Sequence, residues 1–202
     1  MKIIKATKEE QLDIAIRCHH DWYVLAGYVS SDTDGCYVDE WTEKSVYYLT
    51  SLGNKGGLKR EDVVGVVRLI TEPPFPLDLN FDIGTSNQEP LPSIPITERL
   101  EVSALSWAPK HGSLAIPQLY RAIWQGTKAL RATMLLASLD SRLLPVLQQQ
   151  GFPVHVCGPS KYYLGSETMP TFMSVDEITS CMPSRNRFLW DIMETPLDVA
   201  VS

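Results

Sequence analysis

The run at residues 98–109, Glu-Arg-Leu-Glu-Val-Ser-Ala-Leu-Ser-Trp-Ala-Pro, places a carboxylate in a mostly apolar strand. It alternates with period two, setting Leu100, Val102 and Ala104 on one face and Glu101, Ser103, Leu105 and Trp107 on the other. An unpaired carboxylate sharing a face with Leu and Trp is costly to bury. Glu101 therefore either pairs with a nearby Arg or lies at the sheet rim, or it is kept there as a proton acceptor. A second candidate is cationic. The helix expected over residues 114–130 carries Arg121 and Lys128 seven residues apart, with Arg131 just beyond, so the three are expected to share roughly one face. Gly112 and Ser113 at its start offer free backbone N–H groups to an anion, with Lys110 adjacent. A solvated basic face with an ordinary Ser N-cap accounts for the same residues. The charge distribution bears on the choice: between residues 102 and 166 the one acid is Asp140, against Lys110, Arg121, Lys128, Arg131, Arg142 and Lys161, in a chain of net charge −6. A basic region within an acidic protein suggests an acidic partner or a phosphate-bearing ligand met on one side. The overall charge argues against a nucleic-acid binder.

The elements that must position these residues follow from local pattern. Residues 1–6 read as a strand. Thr7 with Glu10 reads as a capping box opening a helix towards Trp22. Residues 45–52 and 62–71 are β-rich runs flanking Gly-Asn-Lys-Gly-Gly, which predicts a hairpin. Residues 72–97 hold six prolines, and so long an excursion inside a compact domain is more often a functional cover than a plain connection. Residues 132–139 form a continuous apolar run, expected as a buried central strand, before a helix at 142–150 closed by Gly151. Residues 152–157 and 161–165 read as a further strand pair, and 175–193 as helical pieces. The order predicts a mixed α/β sheet in a single domain spanning 1–202.

Several chemistries are excluded. Residues 30–41 approximate an EF-hand loop through Asp32, Asp34 and Gly35, but Ser30 and Trp41 stand at its first and last positions, so no bidentate carboxylate closes it. Cys18-His19-His20 lie consecutively on a helix and diverge around its axis, so they do not converge on a metal. There is no nucleophile elbow, P-loop or dinucleotide-binding glycine set. The four cysteines lack pair spacing, no segment is long and apolar enough to span a membrane, and the opening MKIIKATKEE lacks the apolar run of a secretory signal; a cytoplasmic protein is expected.

Taken in order, the residues resemble the GNAT-superfamily acyltransferases that use acyl carrier protein: the N-acyl amino acid synthases, related to the N-acyl-homoserine lactone (autoinducer) synthases. Asp39-x-x-x-Glu43 with Tyr47-Tyr48-Leu49 resembles the acidic, aromatic lead into their first hairpin strand. Val64-Gly65-Val66-Val67-Arg68-Leu69-Ile70, followed by the Pro-rich stretch to Phe81, resembles their G-x-x-R-L segment. Glu101-Val102-Ser103-Ala104-Leu105 is similar to their E-x-S-R-hydrophobic strand, and Gln150-Gly151-Phe152 to the turn closing the acyl-donor half. Gly158-Pro159, Tyr162, Tyr163, Gly165 and Pro170 resemble the tail of the amino acid synthase branch. The likeness runs from about residue 11 to 172. Ala104 stands where autoinducer synthases usually carry Arg, which points away from S-adenosylmethionine as acceptor. Lys110-His111-Gly112-Ser113 replaces the usual pyrophosphate signature, which points to a carrier-borne acyl chain rather than acetyl-CoA. The usual Tyr of the last helix is replaced at Leu147 and Gln148.

The resemblance implies a mixed sheet splayed between two central strands, with no tightly bound cofactor and no metal. The donor would be the acyl-phosphopantetheine of acyl carrier protein, its arm lying where the strands part. It implies Glu101 as base, directly or through water, and a backbone N–H near Ser103 or Ala104 as oxyanion donor. A thiolate with a pKa of about 8.5 leaves without a strong acid, so the missing Tyr is tolerable. Asp39, Trp41 and Arg68 fall to the acceptor, with Arg68 holding its carboxylate or else pairing with Glu101 or Asp39. Leu105, Trp107, Trp124, Met134 and Leu136 line an acyl tunnel or pack the core. Lys110, Gly112, Ser113, Arg121, Lys128 and Arg131 meet the carrier and its phosphate. Two alternatives remain: an autoinducer synthase using S-adenosylmethionine, and a non-catalytic acyl-carrier-binding module.

Overall fold

The computed structural model describes residues 1–31, 35–53, 57–84, 91 and 93–197. The EF-hand-like Asp32 and Asp34, the tip of the Gly53–Gly57 turn, and Pro90 and Pro92 lie outside them. Among the described residues eight strands form one sheet: β1 (Lys2–Lys5), β2 (Ser45–Ser51), β3 (Val63–Ile70), β4 (Arg99–Trp107), β5 (Met134–Asp140), β6 (His155–Val156), β7 (Lys161–Tyr163) and β8 (Ser166–Ser174). Their hydrogen-bonded order is β1-β2-β3-β4-β5-β8-β6, with β7 on β8. The sheet is mixed: β4 and β5 are parallel, whereas β1 with β2 and β5 with β8 are antiparallel. The described residues also form the helices α1 (Glu9–Leu25), α2 (Pro76–Asn80), α3 (Gly112–Leu130), α4 (Leu143–Gln149), α5 (Val175–Arg185) and α6 (Arg187–Glu194). No helix among the described residues is long and apolar enough to cross a membrane.

The chain divides into two compact units, and β3, β4, α3 and α6 each contribute residues to both. The first comprises residues 1–69, 104–126 and 192–202. Its core joins Ile14, Ala15, Ile16 and Cys18 of α1 to Tyr47 and Leu49 of β2 and Val63 and Val66 of β3. The helix α1 starts one residue later than Thr7 would cap: Gln11 Oε1 accepts the Thr7 and Lys8 N–H groups, at 3.0 and 3.2 Å, in place of the expected Thr7–Glu10 box. The approach of α3 to β3 requires a glycine, because a Cβ on Gly65 would lie 2.6 Å from Thr50 Oγ1 and 3.0 Å from Leu119 Cδ1.

The second unit comprises residues 70–103 and 127–191. Its central strand β5 is paired along its whole length with β8, from Met134↔Ser174 to Asp140↔Thr168. The nine-residue β8 is absent from the sequence reading, because Pro170 argues against a central strand. On the edge away from β5, the β7 ladder ends at Thr168 and the β6 ladder begins at Thr171, so Pro170 falls between them. It contributes only its carbonyl, which accepts the Cys157 N–H at 3.0 Å. The expected pairing of 152–157 with 161–165 is therefore replaced by two separate ladders on β8. Leu164 and Gly165 at φ 45° and 78° form the two-residue turn between β7 and β8.

Candidate active site

In the second unit Glu101 is 1% exposed. The parallel ladder pairs it with Leu136 and stops there. Its carboxylate accepts the Leu77 N–H on Oε2 at 2.9 Å and the Ser138 hydroxyl on Oε1 at 3.3 Å. Leu77 is the second residue of α2, whose first is Pro76 and whose N-cap, Phe75, has no side-chain acceptor. Glu101 thus supplies from another strand the cap that α2 lacks. This places part of the Pro-rich stretch directly on the carboxylate. Met134 and Leu136 are fully buried on β5.

Three residues beyond Glu101 the pleat breaks. Ala104 has φ 51° inside β4 and is 2% exposed. A left-handed residue inside a strand marks a bulge, which interrupts the regular pleat. The expected alternation holds in part: Leu100, Ala104 and Ser106 are buried and Ser103, Leu105 and Trp107 half-buried, but Glu101 is buried as well and Val102 is only half-buried. Trp107 is held in the first unit by Gly112, where a Cβ would come within 2.8 Å of its indole nitrogen.

The first unit has its own polar centre. Arg68 on β3, 4% exposed, donates through one terminal nitrogen to both Asp39 oxygens, at 2.7 and 2.8 Å. Asp39 Oδ1 also accepts the Trp41 N–H at 3.0 Å and the Thr42 hydroxyl at 3.2 Å, so the carboxylate is fixed by its own turn. Of the pairings open to Arg68, the structure shows the one with Asp39. Burial opposes the guanidinium charge, but Tyr47 and Asp39 outweigh it and hold its pKa above the usual value. Burial likewise pushes the Tyr37 and Tyr47 hydroxyls up. Around this centre stands an aromatic group that the sequence reading passed over. His19 packs edge-on against Tyr23 at 3.9 Å and Tyr37 at 5.3 Å between ring centroids, and Tyr23 meets Tyr28 at 5.2 Å. Burial, then Arg68 and His20, lower the His19 pKa to about 3, so the ring is neutral. The i,i+4 spacing of His19 and Tyr23 was the available signal.

The cationic candidates are distributed differently from the expectation. Lys110 and Ser113 are exposed beside Gly112 in the first unit. Arg121 is engaged: its guanidinium donates to the carbonyl oxygens of Thr195, at 2.8 Å, and Pro196. Trp124 is buried and gives its indole N–H to Glu194. Lys128 and Arg131 are exposed in the second unit, and Arg131 does not continue the helical face. It sits at φ 57° past the end of α3, its N–H on the Lys128 carbonyl and that of Ala132 on Thr127, a left-handed helix stop with Arg in the usual glycine place.

No protein-family model matches the chain, and no curated protein matches it in sequence. The mixed, open eight-stranded sheet with its helices is the fold of GNAT-like acyltransferases. Among solved structures, the chain is similar to the CoA-dependent acyl-homoserine lactone synthase BjaI, solved with S-adenosylmethionine and isopentyl-CoA. The TM-score is 0.68 at 21% identity, over 95% of this chain and 88% of that one. It is also similar to FeeM, an N-acyl amino acid synthase from uncultured soil microbes, with a TM-score of 0.58 at 16% identity over 88% and 94% of the two chains. A putative N-acetyltransferase from Lactobacillus plantarum gives 0.56 at 13% identity over 86% and 97%.

Proposed function

We propose that the chain is an N-acyltransferase that moves a fatty acyl group from the thioester of acyl carrier protein to the amine of an amino acid. The observation that carries this reading is the buried Glu101 carboxylate on a strand that turns left-handed three residues later, at Ala104. Backbone strain of this kind is kept where surrounding structure enforces it, often at functional sites. In the reaction the amine nitrogen bonds to the thioester carbon and the carbon–sulfur bond breaks. The proton shed by nitrogen passes to Glu101, directly or through water, and the thiolate leaves. A backbone N–H at the bulge, near Ser103 or Ala104, meets the oxyanion of the tetrahedral intermediate.

The amino acid acceptor is supported by the Arg68–Asp39 pair. Arg68 is the residue for the acceptor carboxylate, since its guanidinium already holds a carboxylate, that of Asp39. The likeness to FeeM fits this acceptor, and the likeness to BjaI supplies the second reading, lactone formation from S-adenosylmethionine with a CoA thioester. Lys110, Lys128 and Arg131, all exposed, are the docking cations for an acidic carrier. The test is mass spectrometry of products from the purified chain given decanoyl carrier protein or decanoyl-CoA with amino acids or S-adenosylmethionine. An N-acyl amino acid formed faster from the carrier supports the reading. An acyl-homoserine lactone replaces it with the second, and binding of acyl carrier without turnover overturns both.

A further inference from the structure

We propose that Ser138 is a positioning residue for Glu101, setting the orientation of its carboxylate through the bond to Oε1. The register dictates the contact. Glu101 faces Leu136 across the last pair of the β4–β5 ladder, and paired residues of a parallel ladder project to the same face. Ser138, two residues on, projects to that face too, and a diagonal neighbour is within reach of a side chain as long as Glu. The hydroxyl donates to Oε1 at 3.3 Å, and the Leu77 N–H fixes Oε2 at 2.9 Å. The two donors come from different elements, β5 and α2, and each holds a different oxygen. Together they restrain rotation of the carboxylate about its own axis, which a single donor does not. Apolar residues dominate the rest of β5, Met134, Leu135, Leu136, Ala137 and Leu139, so a hydroxyl at 138 is out of keeping with a strand built only for packing. Serine also has a low preference for strands, and its hydroxyl in a half-buried strand wants a partner.

The catalytic consequence rests on the reading of Glu101 as base, whereas the bond between the two side chains does not, and the experiment separates them. The full chain is compared with Ser138→Ala, Ser138→Thr and Glu101→Gln, each checked for unchanged thermal unfolding. The first arm is infrared spectroscopy of protein carrying carbon-13 in its glutamate carboxyls, with the Glu101→Gln spectrum subtracted to isolate Glu101. Its carboxylate stretch is expected to move in Ser138→Ala and to return to the original position in Ser138→Thr. No movement in Ser138→Ala overturns the inference. The second arm is turnover with decanoyl carrier protein and the best amino acid acceptor. Ser138→Ala is expected to lower kcat about tenfold, the loss of one hydrogen bond to a charged group. KM for either substrate changes less than about twofold, because positioning acts on the chemical step. Ser138→Thr recovers most of the rate. An unchanged kcat in Ser138→Ala, or a Thr variant as slow as Ala, overturns the positioning role. If Glu101→Gln itself turns over normally, the base reading falls, and the infrared arm alone decides whether Ser138 holds the carboxylate.

Discussion

Replacing Ala104 by glycine is expected to leave stability nearly unchanged, although the residue is 2% exposed within β4. An L-residue in the left-handed region, here at φ 51°, costs about 1–2 kcal/mol, which glycine recovers. Against this stand the buried methyl, worth about 0.8 kcal/mol, and the larger freedom of glycine in the unfolded chain, about 0.4–1 kcal/mol. The opposing contributions cancel to within about 1 kcal/mol, whereas at an ordinary buried strand position only the losses, about 1–2 kcal/mol, would remain. Ala104→Val works in the other direction. A β-branched side chain is an outlier at positive φ, and the variant should lose about 2 kcal/mol or more. Urea unfolding followed by tryptophan fluorescence measures both, with an unchanged m-value confirming that the same transition is compared. A loss above about 1 kcal/mol in Ala104→Gly, or an unaltered midpoint in Ala104→Val, would refute a left-handed residue at this position. Turnover adds a second reading of the same pair: the bulge survives in the glycine variant and is lost in the valine variant, so kcat should follow stability in sign.

Arg68→Met should cost about 3–5 kcal/mol because it strands the Asp39 carboxylate, and adding Asp39→Asn should recover part of that; urea unfolding of the single and double variants measures both. Because the folded-state pKa of His19 is lowered to about 3, its contribution to stability is present above the unfolded value of about 6.5 and is lost as pH falls from there towards 3. At pH 5 this amounts to about 2 kcal/mol, and His19→Phe should flatten unfolding free energy against pH in that window. Reversing charge at Lys128 should raise KM for acyl carrier protein and leave KM for the acyl-CoA thioester unchanged in steady-state assays. Arg121 is a poor probe of the same docking, since its guanidinium holds the carbonyls of Thr195 and Pro196.

The elements that the sequence made legible were those with one dominant period. The strand β5 is a continuous apolar run, α3 is amphipathic, with Pro117 inside it rather than in the first turn that a start at residue 114 would give, and β2 and β3 are rich in β-branched and aromatic residues. The strand β8 was hidden because Pro170 forbids an N–H donor, and only the tertiary arrangement of two short ladders makes that harmless. The end of α3 at Leu130 was legible, but the left-handed conformation that takes Arg131 off the helical face was not. Glycine is the usual marker of a left-handed helix stop, and here an arginine takes the conformation. At the site, Glu101 stood out because a buried charge is rare. Its partners did not, since a backbone N–H from a five-residue helix leaves no trace in residue type, and a serine in a strand is a weak signal. In the His19 cluster the consecutive Cys18-His19-His20 masks the informative spacing, the i,i+4 ring pairing of His19 with Tyr23.

Glu101 has two tasks, and a substitution can separate them. It caps α2, whose Pro76 has no N–H and whose Phe75 offers no acceptor, and it is the proposed base. Glu101→Ala removes both functions, leaving the Leu77 N–H buried and unsatisfied at about 1–3 kcal/mol, so a dead alanine variant would say little about chemistry. Glu101→Gln keeps an amide oxygen for Leu77, and its NH2 can donate to the Ser138 hydroxyl, which is able to accept as well as donate. The cap therefore survives at a cost of about 1 kcal/mol or less, while the group that would take the proton is gone. A glutamine variant with near-native unfolding and turnover reduced by about a hundredfold or more assigns the charge to the reaction. The same variant with native turnover would make Glu101 a cap and nothing else, and the proton would have to leave by water. Equal loss of stability in the alanine and glutamine variants would instead show that the cap depends on the negative charge, a carboxylate at the end of a short helix being favoured over an amide.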